Sequence, residues 1–412
     1  MSYLRFQLRQ LLQRMWFLPA AFSAVAVLTV VIAYMLAGFA PDNLPFTLSS
    51  DAVQSILEIL ASSLLTVAVF ALSTVVSALS SASSATTPRA VPLIAGDLRA
   101  QTSISVFIGA FLFSIVGIIG LSAGFYSEAS RLFLFGVTLI VVVLVVTALI
   151  RWIGQISAIG RVANTIDAVE KQTQQAIEIL AATPRLGCRA AEGQFEGRPI
   201  TPLSPGYVQH CDAEDLQKLA EKHDLQLLVR SRPGAYATPV RPLLLVQGEI
   251  DEDTEAKLRD CFVVGDKRTF DSDPRFGFVV LGEIADKALS PGVNDPGTAI
   301  DVIDTATRLF LGWGEEADGE GFDRVRMAAL DPRDVLEDVF RPIARDGAGV
   351  IEVMIRLLRG LETIAACNPV FAEGAERLEQ DVLTRGMAAL SARSDREALA
   401  AAVSQVGKNL SN

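Results

Sequence analysis

The sequence predicts a mainly α-helical membrane protein. Four N-terminal transmembrane helices are followed by a long connecting helix, a small α/β module and a helical C-terminal region in the cytosol. Three observations lead there. Long uncharged apolar runs fill residues 16–153 and then stop. The charge balance changes sign at the same place. Beyond residue 154 the apolar residues recur with the spacing of amphipathic helices and short strands.

The totals set the bounds. Half of the 412 residues are hydrophobic, and the mean hydropathy is +0.38, high for a wholly soluble chain. Of 36 basic and 47 acidic residues, the first 154 positions hold seven Arg and five acids, which leaves 29 basic and 42 acidic for the remainder. Phosphate binding needs clustered Lys and Arg, so so acidic a body is not expected to bind nucleic acid. It suits a cytosolic domain that avoids anionic lipid.

Spanning about 30 Å of hydrocarbon takes roughly 20 apolar helical residues. Four stretches qualify: residues 16–39, 60–79 (beginning as early as 52), 105–125 and 132–153. The expected division is a membrane domain over 1–153, a connecting amphipathic helix over 154–184, an α/β module over 185–250 and a helical domain over 251–412. The first stretch is too long for the apolar part of a signal peptide, and Pro41-Asp42 does not resemble a cleavage site. Arg5, Arg9 and Arg14 precede the first span, Arg89 and Arg99 lie between the second and third, and Arg151 and Arg161 follow the fourth. Basic residues mark the cytoplasmic side, so both termini are expected there, with Trp16 and Trp152 as interfacial anchors.

The spans are not equivalent. The third carries Gly109, Gly117, Gly120 and Gly124, which suit close helix packing. The fourth contains the run 141–146 of Val and Leu, which suits lipid. The second holds Ser62, Thr66, Ser73, Ser77, Ser80, Ser84 and Thr87, at intervals of 4, 7, 4, 3, 4 and 3 that keep one helical face. Glu58 lies one turn before Ser62 on that face, and Asp51 seven residues earlier, giving acids at the outer end. Two readings stay open. One is tight packing with hydroxyls bonded back to the preceding turn. The other is a water-filled path formed by several copies around an axis, with Glu58 and Asp51 favouring cations and Val69 and Val76 as a hydrophobic constriction. An ionisable residue near a membrane helix is a functional candidate by default.

Residues 154–183 have helical apolar spacing and read as a continuation of the fourth span. In 185–250, strands are expected near 206–209, 225–229 and 242–246, with Asp212 capping a helix over 213–223 and a turn at Arg232-Pro233-Gly234-Ala235. From Asp251 onward helices are expected at 252–263, 275–289, 296–311, 332–345, 349–365, 370–389 and 394–409, with an acidic loop over 312–321. Asp295 fits an N-cap, with Pro296 at the first helical position; a catalytic role for it is the weaker alternative.

Chemistry-bearing residues are sparse. Cys188, Cys211, Cys261 and Cys367 lack metal-ligand spacing, and only His210 and His223 are available to a triad or zinc site. No metal, cofactor or catalytic residue is expected, and the chain does not read as an enzyme. Arg268, Asp271, Asp273, Glu283 and Asp286 read as one charged cluster, structural or ligand-binding, ahead of the turn with Asn294 and Asp295.

Three stretches carry a resemblance. One runs from Ser80-Ser81 to Thr87-Pro88-Arg89. Another is Gly206-Tyr207-Val208-Gln209 with Arg232-Pro233-Gly234. The third is Arg268-Thr269, Phe276-Gly277, Ile284-Ala285 and Ala288-Leu289-Ser290-Pro291-Gly292, with Asn294-Asp295-Pro296 and Thr298-Ala299. Over most of the chain to about Trp313 the sequence resembles a bacterial family of predicted membrane proteins (domain of unknown function 2254). Ala85-Thr86 stand where that pattern has bulkier residues. The resemblance implies a four-span inner (plasma) membrane protein with a cytosolic domain, and brings no activity. The expected function is a homo-oligomeric cation channel or channel-like protein, with the bilayer, other copies of itself and monovalent cations as partners. The alternative is a membrane-anchored sensor or scaffold whose cytosolic domain binds a ligand or partner without conduction.

Overall fold

The computed structural model describes residues 16–36, 50–95, 98–124, 126, 128–156, 161–314 and 321–409. It is mainly helical, with a small sheet module. The described residues form two compact units. One holds Val91–Asn164 and the residues up to Ala85; the other holds Thr86–Ala90 and everything from Thr165 onward. The basic residues Arg5, Arg9 and Arg14 lie outside the described residues, as do Pro41 and Asp42.

The first unit contains α1 (Phe17–Leu36), α2 (Ser50–Ala85), the short α3 (Val91–Ala95), α4 (Leu98–Ser122) and α5 (Glu128–Ile156). Of these, α2, α4 and α5 are long and apolar enough to cross a membrane, and α1 contributes a shorter apolar stretch, Phe17–Ile32. Helix α4 is central, packed on α1, α2 and α5. Its glycines allow this: a Cβ on Gly109 would lie 3.3 Å from Phe22, and one on Gly117 3.1 Å from Leu57. The outer face of α5 exposes Ile140, Val143, Leu144 and Ile150, as suits contact with lipid.

Two expectations are corrected here. Trp152 is not displayed as an anchor: it is buried, edge-on to Phe70 at 5.8 Å, in an apolar seam with Ala68, Ala71 and Phe107. The fourth span does not run on unbroken to residue 183. Helix α5 ends at Ile156, Arg161 is outside any helix, and α6 is Val162–Ala182. Residues 157–160 lie outside the described residues.

Beyond Thr86–Ala90, the second unit takes up the chain again within α6, from Thr165. Its strands are β1 (Cys188–Ala190), β2 (Arg198–Ile200), β3 (Gly206–Cys211), β4 (Gln226–Val229), β5 (Tyr236–Ala237), β6 (Leu244–Gln247), β7 (Phe262–Gly265) and β8 (Phe322–Met327). They form a five-stranded sheet ordered β1-β8-β4-β6-β2 and a three-stranded sheet ordered β5-β3-β7. Helices α7 (Ala213–Lys222) and α8 (Glu252–Asp260) accompany them. The uninterrupted helical pattern expected after Asp251 is corrected by β7 and β8. Strand β8 lies between β1 and β4, parallel to both. Its Phe-Asp-Arg-Val-Arg-Met sequence buries only Val325 and Met327 fully, too few apolar residues to mark a central strand.

The remaining helices are α9 (Pro274–Leu289), α10 (Pro296–Leu311), α11 (Pro332–Asp346), α12 (Ile351–Cys367), α13 (Ala372–Ala389) and α14 (Arg393–Asn409), close to the expected positions. Three begin with Asp-Pro: Asp273, Asp295 and Asp331 accept from the backbone N–H of Phe276, Thr298 and Arg333. Proline holds the preceding residue out of the helical region, which is the conformation an N-cap needs. The helical core centres on Phe310, stacked on Phe278 at 4.4 Å and meeting Phe371 at 4.8 Å and Phe340 at 5.7 Å. Buried Asn368 closes it by donating to the carbonyls of Phe310 at 2.7 Å and Trp313 at 2.8 Å. Of the loop expected over 312–321, residues 315–320 lie outside the described residues.

Phe310→Ala is expected to cost about 3–5 kcal/mol, through lost transfer energy and a cavity among three aromatic rings. Denaturant unfolding followed by near-UV circular dichroism measures it. A loss below about 1 kcal/mol would show that this cluster does not organise the core.

Candidate functional site

Helix α2 is divided lengthwise. One side buries Val53, Leu57, Ala61, Leu64, Ala68, Ala71 and Val75, largely against α4. The other side exposes Glu58, Ser62, Thr66, Val69, Ser73, Val76, Ser77, Ser80 and Ser84. Asp51 is also exposed, in the first turn. The stripe therefore lies on the side that the chain leaves uncovered, flanked there by exposed Ile59, Leu65, Phe70 and Leu72. Ser62 and Thr66 donate back to the carbonyls of Ile59 at 3.1 Å and Ser62 at 3.3 Å. Glu58 accepts from Gln54 Nε2 at 2.8 Å.

Thr87 does not belong to this face. Helix α2 ends at Ala85, because Pro88 disfavours helical geometry at the residue before it. Thr87 is buried and donates its hydroxyl to Glu283 Oε2 at 2.8 Å. Arg89 pairs with the other oxygen of Glu283.

The charged residues read as one cluster separate into three places. At the first, the Arg268 guanidinium pairs with Asp273 at 2.6 Å and lies 5.1 Å from the Phe276 ring centroid. Here the chain brings together segments far apart in sequence. Gly234 donates its N–H to the Val208 carbonyl at 2.8 Å, and Gln209 donates to the Lys267 carbonyl at 2.8 Å. Gly234 has φ +92°, and a Cβ there would collide with the Asp273 carboxylate. Burial pushes the Asp273 carboxyl up, while Arg268 opposes that shift. Asp271 is half-buried nearby in sequence.

The second place is Glu283 with Thr87 and Arg89. The third is Asp286, which accepts from Arg345 at 2.9 Å; Arg345 also pairs with Asp346 at 2.6 Å. Glu283 and Asp286 line a groove between α9 and α11 with Arg275, Asp334, Asp338 and Arg345. Asn294 is exposed at φ +49°. Asp295 caps α10, its carboxyl held low by the Thr298 hydroxyl and N–H. This arrangement gives Asn294 and Asp295 a turn-forming and capping role.

Among the described residues, no group of three or more His, Cys, Asp or Glu is placed to hold a metal ion. Burial pushes the thiols of Cys188 and Cys261 up to about 12, and that of Cys211 well above its ordinary range. Such thiols are poor nucleophiles.

The family described as Predicted membrane protein (DUF2254) matches residues 13–363. An uncharacterized protein of Mycobacterium bovis and one of Mycobacterium tuberculosis are each 24% identical over 307 residues, covering 70% of this chain and 58% of the relative. The chain thus spans somewhat more than half the length of these curated relatives. No solved structure matches it.

Two predictions follow from the charged sites. Gly234→Ala is expected to destabilise by at least about 1 kcal/mol, from its positive φ and the encounter with Asp273. An unchanged unfolding midpoint would remove the constraint. Burial beside Asp346 pushes the Asp286 carboxyl up to about 6, whereas Arg345 holds Asp346 down at about 2. A raised folded-state value means that protonated Asp286 favours the fold. That contribution is complete below about pH 4 and is lost as the pH rises through 6. The Asp346 contribution runs oppositely, present above about pH 4 and lost as the pH falls through 2. Asp286→Asn is expected to flatten the fall in thermal stability between about pH 4 and 7; an unaltered slope would refute the assignment.

Proposed function

The chain belongs to the family of predicted membrane proteins DUF2254, and on that premise we propose that it is a homo-oligomeric cation channel or channel-like protein with α2 lining the path. In this reading α1, α2, α4 and α5 all cross a bacterial inner membrane, with both termini in the cytoplasm. The unit from Thr165 onward is the cytosolic assembly and gating body. The chain is not an enzyme in this reading and needs no cofactor.

The observation that carries the proposal is the exposed polar face of α2, opposite its packed face. Hydroxyls and a carboxylate turned toward hydrocarbon are costly. Ser62 and Thr66 offset part of that cost by bonding to their own helix. Glu58 has no comparable backbone solution, and its Gln54 partner is itself polar. Copies arranged around an axis turn the stripe toward water and bring Glu58 into a ring that attracts cations. Val69 and Val76, exposed on the same face, supply an apolar constriction that closes by dewetting.

Purified full-length protein in planar bilayers is expected to pass a cation-selective current, and Glu58→Gln to reduce the preference for cations over anions several-fold. Native mass spectrometry from lipid nanodiscs is expected to give a ring-forming copy number. A monomer, or no current with any monovalent cation across pH and voltage, would rule out the channel and leave the sensor or scaffold reading.

A further inference from the structure

The five residues after α2 belong to the second unit. Chain membership passes to that unit at Thr86, returns at Val91, and passes again at Thr165. Thr86, Thr87 and Ala90 are buried, at 1%, 6% and 0% exposure, although the segment carries no regular structure. Among the described residues, it meets the carboxylate of Glu283. The Thr87 hydroxyl donates to one carboxylate oxygen at 2.8 Å, and the Arg89 guanidinium pairs with the other. Arg89 N–H donates to Thr87 Oγ1 at 3.3 Å and Ala90 N–H to the Thr87 carbonyl at 3.1 Å, so Thr87 organises the turn that presents Arg89.

Glu283 is held on a firm base. A Cβ on the preceding Gly282 would lie 2.9 Å from the Asp338 carbonyl of α11, so the two helices meet there at backbone distance. The arginines that line the same groove are engaged elsewhere. Arg275 pairs with Asp334 and Asp338, Arg341 with Glu337, and Arg345 with Asp286 and Asp346. Glu283 takes its cation from Arg89.

We infer that Glu283 is an electrostatic latch, holding Thr87 and Arg89 and so fixing where the chain leaves the second membrane helix. The latch is reversible by construction. Its ion pair is partly exposed, at 55% for Arg89 and 29% for Glu283, and exposed pairs are individually weak. The charged hydrogen bond from Thr87 and the burial of three small residues add to it without making it permanent. A change at α9 or α11 that withdraws the Glu283 carboxylate frees a segment covalently joined to Ala85. The inference concerns the hold on residues 86–90 and does not rest on conduction.

The test is amide hydrogen exchange on the full chain in nanodiscs, read at Arg89 and Ala90, since Pro88 has no amide. Glu283→Gln and Arg89→Glu are each expected to speed exchange there about tenfold while the interior of α9 keeps its protection. The exchanged pair, Arg89→Glu with Glu283→Arg, is expected to regain part of the loss. Thr87→Val, which keeps shape and removes the hydroxyl, is expected to act in the same direction and serves if a charge variant does not fold. Unchanged exchange in the single variants, or an exchanged pair as unprotected as the two losses combined, overturns the latch.

Discussion

A helix in hydrocarbon satisfies its own backbone but has no say over its side chains, so each face must find a matching environment. In α2 the small residues Ala61, Ala68 and Ala71 are buried with Leu57, Leu64 and Val75. On α4, a Cβ at Gly117 would lie 3.1 Å from Leu57, a tighter approach than most side chains make. This close seam fixes the rotation of α2 about its axis. Once it is set, Glu58, Ser62, Thr66, Ser73, Ser77, Ser80 and Ser84 have nowhere to go but outward. The exposed stripe follows from packing on the opposite side, and the functional proposal follows from the stripe.

In the second unit α9 has the corresponding place. Its first residue follows a buried carboxylate, Asp273, that both caps the helix and pairs with Arg268. Phe278, Val280, Leu281 and Ile284 bury one side in the aromatic core. The other side carries Arg275, Glu283 and Asp286, which reach α11 and the Thr86–Ala90 segment. Helical periodicity lets one element serve as core, as platform for α11 and as anchor for the stretch after α2.

Local signals were the readable ones. The Asp-Pro starts at 273, 295 and 331 announce their helices because cap and proline act within a few residues. The hydroxyl stripe is legible for the same reason, since its spacing is a property of one helix. Strand β8 was not legible: its alternation is charged on one side, and its place between β1 and β4 depends on partners more than 90 residues away in sequence for β4 and more than 130 for β1. Thr87 looked like the last member of the stripe because spacing cannot show that the helix stops at Ala85 and that the hydroxyl turns to Glu283, 196 residues on. Trp152 had the composition of an interfacial anchor and instead fills a seam beside Phe70.

The sequence by itself determined which residues share a helical face, where caps and prolines start helices, and which part of the chain is apolar enough for a bilayer. These depend on backbone geometry and on solvent transfer, both of which act locally. Tertiary structure decided which face of α2 is left uncovered, how Arg268 with Asp273, Glu283 and Asp286 separate into three ion-paired places, and that the residues after α2 are held by a carboxylate on α9. Those outcomes depend on which surfaces meet, and a single chain of residue types does not specify that until the pieces are packed.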